Sequence, residues 1–208
     1  MTSTLEHSQQ MRRIGIPELF WDRTFDNYEA TDPKQIANLS WALEFAEHVN
    51  ESPRSGMLLG NMGTGKTHLG VAVLKVAAGI LGSFFCEATC ELVERVRYAT
   101  VAQIVQGVKD SWASRDITEG SIIEKVTAPR LLVLDEVEGS GSDFERSLLF
   151  RIMDTRYGAM KPTLLISNRP LEDVSTLLGP RVMDRLREHG SDLRVFDWES
   201  HRKQGVIA

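Results

Sequence analysis

The sequence is short of the features that mark secreted, membrane-spanning or metal-stapled chains. Its 208 residues include only two cysteines, Cys86 and Cys90. Their C-x3-C spacing is not the C-x2-C of zinc ribbons and redox pairs, and no second pair completes four ligands. Two reduced, partly buried thiols are expected, which fits a reducing compartment. The five histidines, His7, His48, His68, His189 and His201, form no H-x3-H or HExxH pattern, so no metal site other than one for Mg²⁺ is expected. No apolar run approaches the roughly 18 residues of a membrane span, and the start, MTSTLEHSQQ, lacks the apolar stretch of a signal peptide. A cytoplasmic location is expected. A basic excess is missing too: 24 Lys and Arg against 29 Asp and Glu leave a net charge of −5. That excludes a chain whose whole surface grips nucleic acid, though not a local basic track.

What is present is ordinary globular material, 42% hydrophobic and 25% charged, of a length suited to one domain with a short appendage. Residues 1–20 read as a tail or short docking segment, and residues 21–208 as the domain. Pro33 and Lys34 open a helical stretch with Ile36, Leu39, Leu43, Phe45, Ala46 and Val49 at three- and four-residue spacing. Short apolar runs then alternate with helical stretches. The runs are 57–59, 83–86, 130–134, 163–167 and 193–196; the helical stretches are 66–81, 89–112, 118–127, 143–159, 171–178 and 180–189. Strands separated by helices predict a parallel sheet buried on both faces, a three-layer α/β/α sandwich.

The first run leads into Gly60-Asn61-Met62-Gly63-Thr64-Gly65-Lys66-Thr67, which matches G-x-x-x-x-G-K-[ST]. Gly60, Gly63 and Gly65 permit backbone angles closed to other residues, so the loop can wrap a phosphate with its N–H groups inward. The following helix directs its positive end at the same anion. Lys66 is placed to neutralise the β- and γ-phosphates and the Thr67 hydroxyl to ligate Mg²⁺.

The third run ends in Asp135-Glu136, two carboxylates at the carboxyl edge of a sheet, where open α/β sheets bind ligands. Asp135 would serve the Mg²⁺ shell and Glu136 would polarise the attacking water. Asp135 is followed by Glu-Val-Glu-Gly and no Asn-Lys occurs, so the D-x-x-G and N-K-x-D of GTP switches are both missing. The fourth run ends Ser167-Asn168. Beside the loop strand, the Asn168 amide would touch the γ-phosphate or the attacking water; read locally it is equally a turn asparagine before Arg-Pro. Arg181 and Arg185 lie at i and i+4 after Gly-Pro. They either pair with neighbouring acids such as Asp184 and Glu188 or reach the nucleotide of an adjacent subunit.

Together these motifs resemble the AAA+ helicase-loader family of the DnaC and DnaI type, with IstB-like transposition helpers as close cousins. The resemblance covers residues 17–202. It includes Thr24-Phe-Asp-Asn-Tyr28, GNMGTGKTHL, LLVLDE, LLGPRVMDRLRE at 177–188, and Phe196-Asp-Trp198-Glu-Ser-His-Arg202. It implies a P-loop NTPase fold of the branch with the additional glutamate, a five-stranded parallel sheet in the order 5-1-4-3-2 with 83–86 as second strand, and little or no C-terminal lid. It implies ATP and Mg²⁺ as ligands, Gly60 to Thr67 on the phosphates, Asp135 and Glu136 in hydrolysis, and Asn168 as first sensor. Arg181 would be the finger acting in trans, with Arg185 second, and Arg202 a second sensor in cis. The 24–28 segment would lie near the adenine. The implied function is loading of the replicative DNA helicase by an ATP-dependent oligomer on single-stranded DNA; the alternative partner is a transposase. The strand would be held through 89–115, by Arg95, Arg97, Lys109 and Arg115 with Tyr98 and Trp112. Val101, Ile104, Val105, Val108 and Trp112 also fall at helical spacing, which places Trp112 in a core. Only residues 1–20 are left for docking a helicase.

Overall fold

The computed structural model describes residues 2–86, 91–138 and 141–201. Cys90 and Arg202 lie outside the described residues.

Eight α-helices and seven strands follow one another in the described residues. Helix α1 (Thr2–Ile14) and a short 3-10 turn (Glu18–Phe20) precede α2 (Pro33–Glu47). Asp32 starts α2: its carboxylate accepts from the N–H groups of Lys34 (2.8 Å) and Gln35 (3.0 Å), while the Gln35 side chain accepts from Asp32 N–H. This reciprocal box, with Pro33 in the first turn, explains the sharp boundary. Then come β1 (Gly56–Gly60), α3 (Lys66–Leu81), β2 (Ser83–Cys86), β3 (Glu91–Glu94), β4 (Val96–Thr100), α4 (Val101–Ser111) and α5 (Glu119–Thr127). The chain continues with β5 (Leu131–Asp135), α6 (Asp143–Gly158), β6 (Thr163–Ser167), α7 (Leu171–Leu178), α8 (Pro180–Glu188) and β7 (Asp192–Phe196). No helix in the described residues is long and apolar enough to cross a membrane.

The main sheet runs β4-β5-β6-β1-β7 with every pairing parallel. Side-chain alternation along its strands builds the two cores. Leu58, Leu131, Val133, Leu164, Ile166 and Phe196 face α1, α2 and α3. Met57, Leu59, Leu132, Leu134 and Leu165 face α4 to α8. The four apolar residues of β5 are fully buried, each contributing roughly 1.5–3 kcal/mol. The three-layer sandwich is thus present, and four of its strands hold the expected places.

The sheet edge is corrected. Ser83–Cys86 does not join the sheet; it pairs antiparallel with Glu91–Glu94 in a separate hairpin. The edge place belongs to β4, inside the stretch expected as one helix over 89–112. Val96 and Tyr98 enter the first core and Ala99 the second, the face alternation of a strand buried on both sides. Helix begins only at Val101, where Thr100 accepts from Gln103 N–H (3.2 Å) and Gln103 accepts from Thr100 N–H (3.0 Å). Two of the expected DNA cations therefore flank an edge strand, not a helix: Arg95 precedes β4 and Arg97 sits within it.

Residues 1–20, expected as a tail or short docking segment, meet the domain through α1. Met11, Ile14 and Ile16 are buried in the first core, Arg13 pairs with Glu94 at 3.1 Å, and Arg97 donates to the Arg13 carbonyl at 2.8 Å.

Candidate functional site

At the carboxyl end of β1 the backbone must turn sharply between two strands. Gly60 has φ 136°, and a Cβ there would stand 2.2 Å from the Phe196 carbonyl oxygen; only glycine passes. Gly65, at φ 95°, lies under the Tyr28 ring, 2.7 Å from where a Cβ would sit. A loop that aims N–H groups inward must turn carbonyls outward, and those carbonyls need donors. They have them. Lys66 Nζ donates to the Gly60 carbonyl at 2.9 Å and to that of Asn61, and the Thr64 hydroxyl also donates to Asn61 O at 2.7 Å. Trp198 Nε1 donates to Thr64 O at 3.1 Å, and His201 N–H to Gly63 O at 2.9 Å. Met62 is exposed at the loop tip.

The acidic strand end lies across β6 from this loop. Asp135 is buried and accepts from the Thr67 hydroxyl (2.9 Å), the Tyr98 phenol (2.8 Å) and Glu136 N–H (2.7 Å). Burial raises the Asp135 carboxyl above the ordinary aspartate range, opposed by these hydrogen bonds and the Lys66 charge. Burial likewise raises the Tyr98 phenol, with Asp135 adding to the effect. Glu136 sits at φ 55°, the left-handed region that a non-glycine residue enters at a cost. Its carboxyl is raised by burial first, then by repulsion from Asp135 and Glu138.

Strand β6 pairs directly with β1, Leu59 opposite Ser167, so Asn168 follows beside the phosphate loop. Its backbone N–H donates to Glu138 Oε1 at 2.8 Å, and its side-chain amide donates to the same oxygen. Lys66, Thr67, Asp135, Glu136 and Asn168 all line one cavity of about 530 Å³, together with Gly63, Gly65, Tyr98 and His201, and with Phe20, Arg23, Tyr28 and His68. The 24–28 segment is held there by His68, whose Nε2 lies 2.8 Å from Thr24 O and 3.0 Å from Asn27 Oδ1. Burial lowers the His68 pKa below the usual imidazole value. The site thus offers a phosphate cradle, a buried cation, two hard oxygen ligands and a carboxylate with raised basicity.

The remaining expected residues lie elsewhere. Arg181 and Arg185 on α8 do not line the cavity. Arg181 is exposed and stacks on Phe150, 5.2 Å from the ring centroid. Arg185 pairs with Asp154 of its own chain and covers Tyr157 at 4.7 Å. Lys109 and Arg115 are exposed at the end of α4 and beyond it. Trp112, expected in a core, is corrected: it is 64% exposed, with one edge against Phe144 at 5.5 Å between centroids. It follows the last turn of α4, where Val101, Ile104 and Val108 already fill the apolar face. Glu138 and His68 are not singled out by the sequence as site residues; Tyr98, expected beside the DNA cations, is corrected, because it is buried and donates to Asp135 instead. Glu138 carried no signal, because its partner is 30 residues away.

The chain matches the IstB-like ATP binding protein family over residues 2–206. It is 29% identical over 201 residues to the replicative helicase loader DnaC of Escherichia coli (strain K12), an alignment covering 96% of this chain and 77% of that one. It is similar in fold to a crystal structure of the DnaC helicase loader, with a TM-score of 0.70 at 24% identity over 87% of this chain and 100% of the other. It is also similar in fold to a replication initiator DnaA bound to AMPPCP and single-stranded DNA, with a TM-score of 0.68 at 21% identity over 89% of this chain and 52% of that one. With the phosphate cradle and acidic strand end assembled on the same sheet, the chain belongs to the family of IstB-like ATP binding proteins.

Proposed function

We propose that this protein hydrolyses ATP and loads the replicative DNA helicase, working as an ATP-dependent oligomer on single-stranded DNA. The observation that carries the ATPase reading is the meeting of Lys66, Thr67, Asp135, Glu136 and Asn168 at one cavity. Gly60, Asn61, Met62, Gly63, Thr64 and Gly65 cradle the phosphates with backbone N–H groups. Lys66 exchanges loop carbonyls for phosphate oxygens. Thr67 and Asp135, two hard oxygen ligands 2.9 Å apart, would hold Mg²⁺, which when bound neutralises charge on the phosphates. Glu136 orients a water and takes its proton as the water oxygen bonds to the γ-phosphorus. The bond from that phosphorus to the bridging oxygen breaks, and ADP leaves. Arg181, exposed and, among the described residues, not committed to a carboxylate of its own chain, is the finger for a neighbouring subunit. Arg185 supports it by holding Asp154.

Helicase loading is supported by the DnaC relative across nearly the whole chain. The strand contact is supported by the exposure of Trp112 and of Lys109 and Arg115, which flank it in sequence, the ingredients of a stacking platform. Residues 1–20 offer the outer face of α1 for docking.

Equilibrium binding and turnover test the ATPase. Lys66→Ala should abolish nucleotide binding, while Glu136→Gln should bind ATP normally and turn over at least about 100-fold more slowly. Tight ATP binding by Lys66→Ala would overturn the assignment. Co-purification with the cognate helicase, with and without ATP and single-stranded DNA, tests the loader role; capture of a transposase instead would redirect it.

A further inference from the structure

Asn168 donates from its backbone and its side chain to a second acid, Glu138. We infer that Glu138 is a positioning residue that fixes the Asn168 amide with its oxygen toward the cavity, so that Asn168 accepts a hydrogen bond from the attacking water rather than donating to phosphate. The inference rests on the ATPase reading of this site.

Three observations support it. First, a carboxylate only accepts hydrogen bonds, so the Asn168 edge that meets Glu138 must be Nδ2. Both the side-chain amide and the backbone N–H of Asn168 end on the same Glu138 oxygen. The remaining polar atom of the amide is Oδ1, an acceptor. Second, Asn168 lines the cavity and Glu138 does not, so the acid grips the amide from behind. Third, the Glu138 backbone is pinned. Its N–H donates to Glu136 O at 2.7 Å, the preceding Val137 N–H donates to Ile166 O at 2.9 Å, and Val137 O accepts from the Ser167 hydroxyl at 2.8 Å. The ends of β5 and β6 are laced together at the point where the amide must be aimed. A water that donates one hydrogen to Glu136 and the other to Asn168 Oδ1 would keep a lone pair free to attack the phosphorus.

A charge-swap experiment decides the matter. ATP turnover and the affinity for a non-hydrolysable ATP analogue are measured for Asn168→Ala, Glu138→Ala, Asn168→Asp and the double variant Asn168→Asp with Glu138→Gln. Glu138→Ala should lower kcat about 10-fold with analogue affinity unchanged. Asn168→Asp sets two carboxylates against each other and should lower kcat about 100-fold. In the double variant the amide introduced at position 138 keeps its oxygen on the residue-168 backbone N–H and turns its NH2 to the carboxylate introduced at position 168, whose second oxygen again accepts from the water. Its kcat should return to within about threefold of wild type. A double variant as inactive as Asn168→Asp overturns the inference, because an amide that must donate to phosphate cannot be replaced by a carboxylate. Loss of turnover in Asn168→Ala with wild-type turnover in Glu138→Ala removes the role of Glu138 and leaves the sensor standing. Wild-type turnover in Asn168→Ala removes the sensor reading and the inference with it.

Discussion

Glu136 carries two burdens at one position. It is the base of the proposed reaction, and its backbone stands at φ 55°. The strain comes from the turn that aims its carboxylate back over the cavity while Val137 returns to pair with Ile166. Glycine has no Cβ to oppose that angle, and a β-branched residue opposes it most. Glu136→Gly should therefore unfold at or above the wild-type denaturant midpoint, and Glu136→Val below it, with about 1 kcal/mol or more between the two. Both variants should be inactive. Equal midpoints would show that the turn carries no strain. The motif that names Glu136 as a base says nothing of this, because the strain arises from neighbours on another strand.

Strands β5 and β6 deliver the chemistry at their carboxyl ends, and one side chain ties their other ends. Arg156 of α6 is 1% exposed and meets no carboxylate among the described residues; burial lowers its pKa to about 9. All five of its N–H donors are used, on the Thr163 hydroxyl and the carbonyls of Val126, Pro129, Arg130 and Pro162. Those carbonyls close α5 and lead into β5 and β6, so one planar fork replaces the pairing that the sheet itself cannot reach. Arg156→Met keeps the volume and removes every donor. At about 1–3 kcal/mol for each unsatisfied group, the variant should lose at least about 3 kcal/mol in urea unfolding. Its nucleotide affinity, measured well below the transition, should not change. A cost under about 1 kcal/mol would mean that water replaces the guanidinium.

At the scale of the whole molecule, the proposed finger Arg181 and the cavity of the same chain do not meet. Arg181 sits on α8, and the cavity opens above β1, β5 and β6. Catalysis that needs both requires a second copy. The expected signature is complementation. Lys66→Ala protein should contribute a finger but no nucleotide, and Arg181→Ala protein should bind nucleotide and lack a finger. Each alone should be nearly inactive, whereas a mixture should recover turnover of about 10-fold or more over either. Additive rates in the mixture would place the finger elsewhere. Assembly also suits the net charge of −5. The proposed strand contact would draw on local cations aligned from several copies.

The sequence alone determined the phosphate loop, the Asp135-Glu136 pair and the parallel three-layer sheet, while the place of Asn168 beside the loop rests on the pairing of β6 with β1. Each of the first three is carried by a contiguous pattern: a spacing of glycines, an apolar run ending in acids, strands alternating with helices. Tertiary structure decided what depends on residues far apart in the chain. Edge strand β4 displaced 83–86 because Val96, Tyr98 and Thr100 could be buried beside β5, while Ser83–Cys86 found a partner in Glu91–Glu94. Trp112 was left outside because it follows the last turn of α4, whose buried face Val101, Ile104 and Val108 already complete. Arg185 was taken by Asp154, and Asn168 was turned by Glu138. Local pattern selects backbone conformation, since neighbouring residues share its sterics and burial period. Which oxygen a side chain finally meets is settled by packing, when strands distant in sequence come within hydrogen-bond reach.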